Sequence, residues 1–275
     1  MLLEKDDLKF NFGCASCGYK NVGADEPIGR INVNAIISKL DGYFSKNDMT
    51  GAKRLLEYWQ SEATALRDLR GELSIVNEML GFYRKVLDKE KGLASVSRSL
   101  ELVSRLGISE EISGATVLLN AATTLKAFGE AERAVGIYGD VLSVYSKNLE
   151  AGDARLGGFY NNYALALTDL GRYEDARECY EKALGIMKNA DGGLIDCAAT
   201  HVNMAHLFEA WHGAECEEIE GNLSRALEII NGEKTPRDSY YAFVLSKCAP
   251  SFEHFGFFAD AREMKERSDK IYEGA

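Results

Sequence analysis

Along most of the chain, apolar residues recur at the three-and-four spacing of amphipathic helices, interrupted by short polar or glycine-marked turns. The clearest stretch covers residues 159–184. Its apolar side chains fall at Tyr160, Tyr163, Ala164 and Leu167, then at Ala176, Tyr180, Ala183 and Leu184, with Gly171 between the two groups. That spacing predicts two helices joined by a tight turn, each with one face that must be covered. The same arrangement precedes it at Leu118, Ala121, Ala122, Leu125, Gly129, Ala134, Tyr138 and Val141. It follows at His201-Val-Asn-Met-Ala205, with a longer turn at 211–215 and Ala226-Leu227 on the second helix. Leu40, Leu80, Ala122, Ala164, Ala205 and Ala249 anchor six units, spaced by 40, 42, 42, 41 and 44 residues. Weaker copies are completed by Ala52, Leu56 and Trp59 after the first anchor and by Val96, Leu100 and Val103 after the second. Gly256, Phe258 and Ala261 follow the sixth anchor.

The large-small pairs on the first helix and the Ala, aromatic, Ala series on the second resemble the tetratricopeptide repeat. Asn161-Asn162 before the Tyr163-Ala164 pair, the Lys182-Ala183-Leu184 ending and the 42-residue step from Ala122 to Ala164 are similar to the kinesin light chain variety. Lys188 replaces the usual closing proline. The resemblance implies an all-α fold, a right-handed superhelical solenoid of about six helix-turn-helix repeats over residues 29–275, with a concave groove on the first helices. Residues 1–28 then form an N-terminal extension, irregular or loosely docked. Two features depart from the pattern. The segment Asp88-Lys-Glu-Lys-Gly92 reads as an expanded turn, and Pro250 predicts a kink or restart inside the first helix of the sixth unit. The final helix, 259–272, is expected to cap the array with the polar face Glu263, Lys265, Glu266, Arg267 and Lys270.

Asn120, Asn162 and Asn203 share one repeat position, two residues before the small anchor. The resemblance implies that this position faces the groove, where an amide can both donate to and accept from a peptide backbone. The same alignment places Asn77, Arg84, Lys85, Lys126, Asn161, His206, Glu209 and Lys247 on or near that surface. The asparagines suit a second role equally, bonding neighbouring helices to each other. Only Lys126 and Lys247 suggest a carboxylate clamp, so no C-terminal carboxylate ligand is singled out. The expected function is a non-enzymatic protein-protein interaction module that binds a partner protein or peptide in the groove. A peptide-responsive regulatory sensor is the first alternative, and a redox or zinc-binding role for an N-terminal Cys-x-x-Cys is the second.

Composition narrows the rest. There are 3 prolines in 275 residues, which favours helices over a turn-rich fold. Residues 1–110 hold 16 basic and 16 acidic side chains, so the whole excess of acid behind the net charge of −11 lies beyond them. An acidic surface repels phosphate backbones, and the expectation is no nucleic-acid partner. The acidic part serves either solubility or a basic partner. No apolar run is long enough to span a membrane, and the first residues are acidic where a leader would be apolar, so a cytoplasmic location is expected. The 6 cysteines are widely spread and are expected to be reduced. Cys14 and Cys17 form a Cys-x-x-Cys pair without a second pair to close a zinc site, and His206 with Glu209 is read chiefly as a surface pair. No metal, cofactor or catalytic group is expected.

Overall fold

A computed structural model describes residues 27–274, and the Cys14/Cys17 segment lies outside them. The described residues form twelve helices and no strand. They divide into two compact units at Asn148 and Leu149. The first contains α1 (Val33–Phe44), α2 (Met49–Ala65), α3 (Leu69–Lys85), α4 (Lys89–Leu106), α5 (Ile112–Ala127) and α6 (Ala131–Asn148). The second contains α7 (Ala154–Asp169), α8 (Tyr173–Met187), α9 (Leu194–His212), α10 (Glu217–Asn231), α11 (Ser239–His254) and α12 (Phe258–Gly274). Each unit is three helix pairs of an all-α repeat solenoid. Besides packing on its partner, α3 packs on α5 in the first unit, and α7 on α9 and α9 on α11 in the second.

All six anchors sit on odd-numbered helices and are at most 1% exposed. Small side chains there let backbones approach closely, while large ones fill the space on either side. In the first unit one apolar cluster runs through Leu40, Leu56, Ile75, Phe82, Leu102 and Val117, with Trp59 packed against it. In the second, Phe159, Tyr180, Tyr241 and Phe252 are fully buried. Where tyrosines enter the core their hydroxyls need partners. Thr123 Oγ1 meets Tyr138 Oη at 3.1 Å, and Thr116 Oγ1 meets Tyr145 Oη at 3.0 Å.

The first three helix junctions are chemically alike. Asn47, Arg67 and Leu87 take left-handed φ values of 52°, 56° and 57°, and each is followed by an aspartate. Asp48, Asp68 and Asp88 then accept from the backbone N–H of Gly51, Gly71 and Lys91 at 2.7, 3.0 and 3.2 Å. These are N-caps, which satisfy donors that the first helical turn leaves open. Asp68 also accepts from Ile31 N–H at 3.0 Å, tying the entry segment to the α2–α3 junction.

Two readings made from sequence, the expanded turn at 88–92 and the restart at Pro250, are corrected. Asp88 is the cap of α4 and Lys89 to Gly92 its first turn, so the α3–α4 junction is no longer than its neighbours. Gly92 is required for packing: a Cβ there would lie 2.3 Å from the Phe128 ring. Helix α11 continues through Pro250 to His254 without a restart. The carbonyl that Pro250 leaves without its helical donor belongs to Ser246, an exposed residue, where water can serve it. The polar face of α12 is as expected, with Glu263, Lys265, Glu266 and Lys270 exposed and Arg267 bonded to Asn231 Oδ1 at 2.7 Å.

Candidate functional site

The residues expected on the groove separate into three groups. In the first unit, Asn77 on α3 and Asn120 on α5 are half-buried, and the Asn120 amide donates to Asn77 Oδ1 at 2.9 Å. Lys126 follows in the last turn of α5. Lys85 ends α3, exposed, with its ammonium 5.0 Å from the centre of the Phe44 ring, a cation–π distance. Arg84 is different: at 8% exposure it is turned into the packed interior, not onto an open face.

In the second unit the asparagines are interior. Asn161 and Asn162 are 3% exposed and Asn203 is 1% exposed. Asn161 Oδ1 accepts from Thr200 Oγ1 and from the Asn203 amide, each at 3.2 Å. The Asn161 amide reaches Asn162 Oδ1 at 3.4 Å. This is the helix-bonding role, linking α7 to α9.

The third group surrounds Glu209. His206 and Glu209 lie one turn apart on α9, with Nδ1 3.4 Å from the carboxylate. His254, at the end of α11, completes the cluster: its Nε2 is 2.8 and 3.0 Å from the two oxygens of Glu209. His206 Nε2 meets Ser251 Oγ at 2.9 Å, and Phe255 places its ring 4.8 Å from both imidazoles. Burial pushes the His206 pKa down to about 4. Lys247, on the same helix as His254, lies 5.4 Å from the centre of the Phe243 ring. Sequence reasoning reached His206 and Glu209 but missed His254 and Ser251. One repeat step of about 44–45 residues carries Glu209 onto α11 beside His254, and that step was the available signal.

A concavity of about 410 Å³ lies where α8 and α10 flank α9, lined by Arg177, Met204, Phe208, Trp211, Glu218 and Arg225 among others. Trp211 stacks on Phe208, His212 and Tyr173 at 6.3, 4.5 and 5.9 Å. No helix among the described residues is long and apolar enough to cross a membrane.

A family model for the tetratricopeptide repeat matches residues 158–190, the stretch with the clearest sequence pattern. Among solved structures, BtubC (BKLC) from P. vanneervenii is 23% identical with a TM-score of 0.62, over 74% of this chain and 83% of that one. A Podosopora anserina chain of nearly identical TPR-like repeats, named for kinesin light chain, is 16% identical with a TM-score of 0.51, over 71% and 92%. These likenesses establish the fold. No curated protein sequence matches the chain.

Proposed function

We propose that this tetratricopeptide-repeat chain is a non-enzymatic interaction module whose first helices hold an extended segment of a partner protein. Repeats of this kind generally serve as protein-protein interaction scaffolds, because stacked helix pairs present long, regular surfaces. The observation that carries the reading is the Asn77–Asn120 pair on α3 and α5. Their mutual bond consumes one Asn120 N–H and the Asn77 oxygen. The Asn77 amino group, the second Asn120 N–H and Asn120 Oδ1 remain as donors and acceptors for an extended backbone. Lys85 and Lys126 add positive charge in the last turns of the same two helices, suiting an acidic group on the bound segment.

Two buried thiols support a non-catalytic reading. Burial raises the pKa of Cys179 to about 11 and of Cys248 to about 12, the reverse of what a thiolate nucleophile needs. Regulation by a peptide and chemistry at Cys14/Cys17 remain the rival readings.

The test is a pull-down from lysate of the source cell with wild type and an Asn77→Ala/Asn120→Ala/Lys126→Ala variant, circular dichroism confirming that both fold. A partner retained by wild type and lost by the folded variant supports the reading. Identical partners from both would refute it and move attention to the aromatic concavity around Trp211.

A further inference from the structure

We propose that His206, Glu209 and His254 form a binding site for one divalent transition-metal ion of the zinc class, joining α9 to α11. The ligand atoms are Nδ1 of His206, a carboxylate oxygen of Glu209 and Nε2 of His254. One ligand atom from each residue lies within 4.8 Å of the others. Tetrahedral zinc with bonds of about 2.0–2.1 Å requires ligand atoms about 3.3 Å apart. The observed 3.4 Å from His206 Nδ1 and 3.0 Å from His254 Nε2 to the same Glu209 oxygen, Oε2, lie close to that spacing. Two imidazoles and one carboxylate with an open fourth position form a borderline donor set, suited to zinc or cobalt and poorly suited to calcium or magnesium.

Four surrounding features favour a cation here. Ser251 Oγ lies 2.9 Å from His206 Nε2 and is itself buried. When Nε2–H donates to that hydroxyl, the lone pair falls on Nδ1, the atom facing Glu209; such outer partners orient metal-binding imidazoles. Both charged-pair contacts of Glu209 among the described residues are to imidazoles and none is to a lysine or arginine, so each group facing the carboxylate can itself serve as a metal ligand. Glu209 is in the last turn of α9 and His254 is the last residue of α11, so the negative ends of two helix dipoles point toward the ion. The Phe255 ring shields the imidazoles on one side, while the His254 side chain, 53% exposed, leaves a route in from solvent.

The site does not depend on partner binding, and its test uses the purified full-length chain alone. Cys14→Ser/Cys17→Ser is the background, so that the other candidate ligands are removed. Zinc is titrated by calorimetry, and cobalt by visible absorption, where a nitrogen and oxygen site gives d–d bands without thiolate charge-transfer bands. One ion per chain is expected. Glu209→Gln and His254→Gln, which change accessible side chains and are checked by circular dichroism, are expected to weaken binding by at least tenfold. Ser251→Ala is expected to weaken it by about tenfold through the loss of orientation. Absence of stoichiometric binding in the Cys14→Ser/Cys17→Ser background would overturn the proposal. So would unchanged binding in the folded Glu209→Gln/His254→Gln double variant.

Discussion

Arg98→Ala probes the most enclosed ion pair of the first unit. Glu72 on α3 has a side chain only 2% exposed, and Arg98 on α4 covers it with two parallel bonds, Nε to Oε1 and Nη2 to Oε2, both 2.7 Å. The third nitrogen of Arg98 reaches Glu101 at 2.7 Å, and the pair holds the guanidinium above its usual pKa. Removing one partner of a fully buried pair costs about 3–5 kcal/mol, mostly from the charge left behind. The Arg98 side chain is 24% exposed, so water partly reaches the vacated site, which lowers the expected cost to about 2–3 kcal/mol. Glu72→Gln keeps the shape and removes the charge, and is expected to cost about 1 kcal/mol because Arg98 retains Glu101 and solvent. The double variant is the decisive one. With no buried charge to strand, it is expected to be more stable than Arg98→Ala alone, a coupling of about 1–2 kcal/mol. The assay is urea unfolding followed by Trp59 fluorescence in a Trp211→Phe background, which confines the signal to the first unit. A cost for Arg98→Ala below about 1 kcal/mol, or simple additivity in the double variant, would refute the burial argument.

Leu87→Asn is expected to raise stability by about 0.5–1 kcal/mol in thermal melts, since Leu87 is exposed, sits at φ 57° and has an asparagine at the equivalent junction position 47. Asn161→Ala strips the shared acceptor from buried Thr200 and Asn203 and is expected to cost about 2–3 kcal/mol in chemical denaturation. Asn120→Ala, at a half-buried pair, is expected to cost less than about 1 kcal/mol in the same assay; equal costs would erase the distinction between the two units. Burial lowers the His201 pKa despite its bond to Asn222 Oδ1 at 2.9 Å, so the folded state favours neutral imidazole. Stability is therefore full above the unfolded value of about 6.5 and falls at lower pH as the unfolded chain takes up the proton. Melting temperatures followed from neutral pH downward are expected to fall less steeply in His201→Gln than in wild type.

The anchors were legible in the sequence because close helix packing is a steric rule: it demands a small or tightly fitting residue at one point per repeat, and Ala122, Ala164, Ala205 and Ala249 meet it with full burial. Junction chemistry was harder to read. Asp88-Lys-Glu-Lys-Gly92 has the polarity of a loop, yet its aspartate caps a helix and its glycine makes room for Phe128, a residue 36 positions away. The asparagine column shows the same limit. Repeat position fixes where a side chain starts, but what lies over it depends on neighbours such as Thr200, which buries and satisfies Asn161. His254 escaped notice because it pairs with Glu209 across 45 residues, a separation set by the lengths of α10 and α11 together with the lengthened 232–238 connection that joins them.

The repeated aspartate junctions make the first unit behave like a chain of interchangeable links. Asn47-Asp48, Arg67-Asp68 and Leu87-Asp88 fall 20 residues apart and close in the same way, whether they join the two helices of one repeat or one repeat to the next. Excising residues 48–87 would splice Asn47 directly to Asp88 and rebuild a junction already present in the molecule. Helix α1 would then pass to α4, a first helix to a second, with no new turn to invent. An array with such joints can gain or lose a whole repeat by a single recombination event, its length free to vary while its local geometry stays constant.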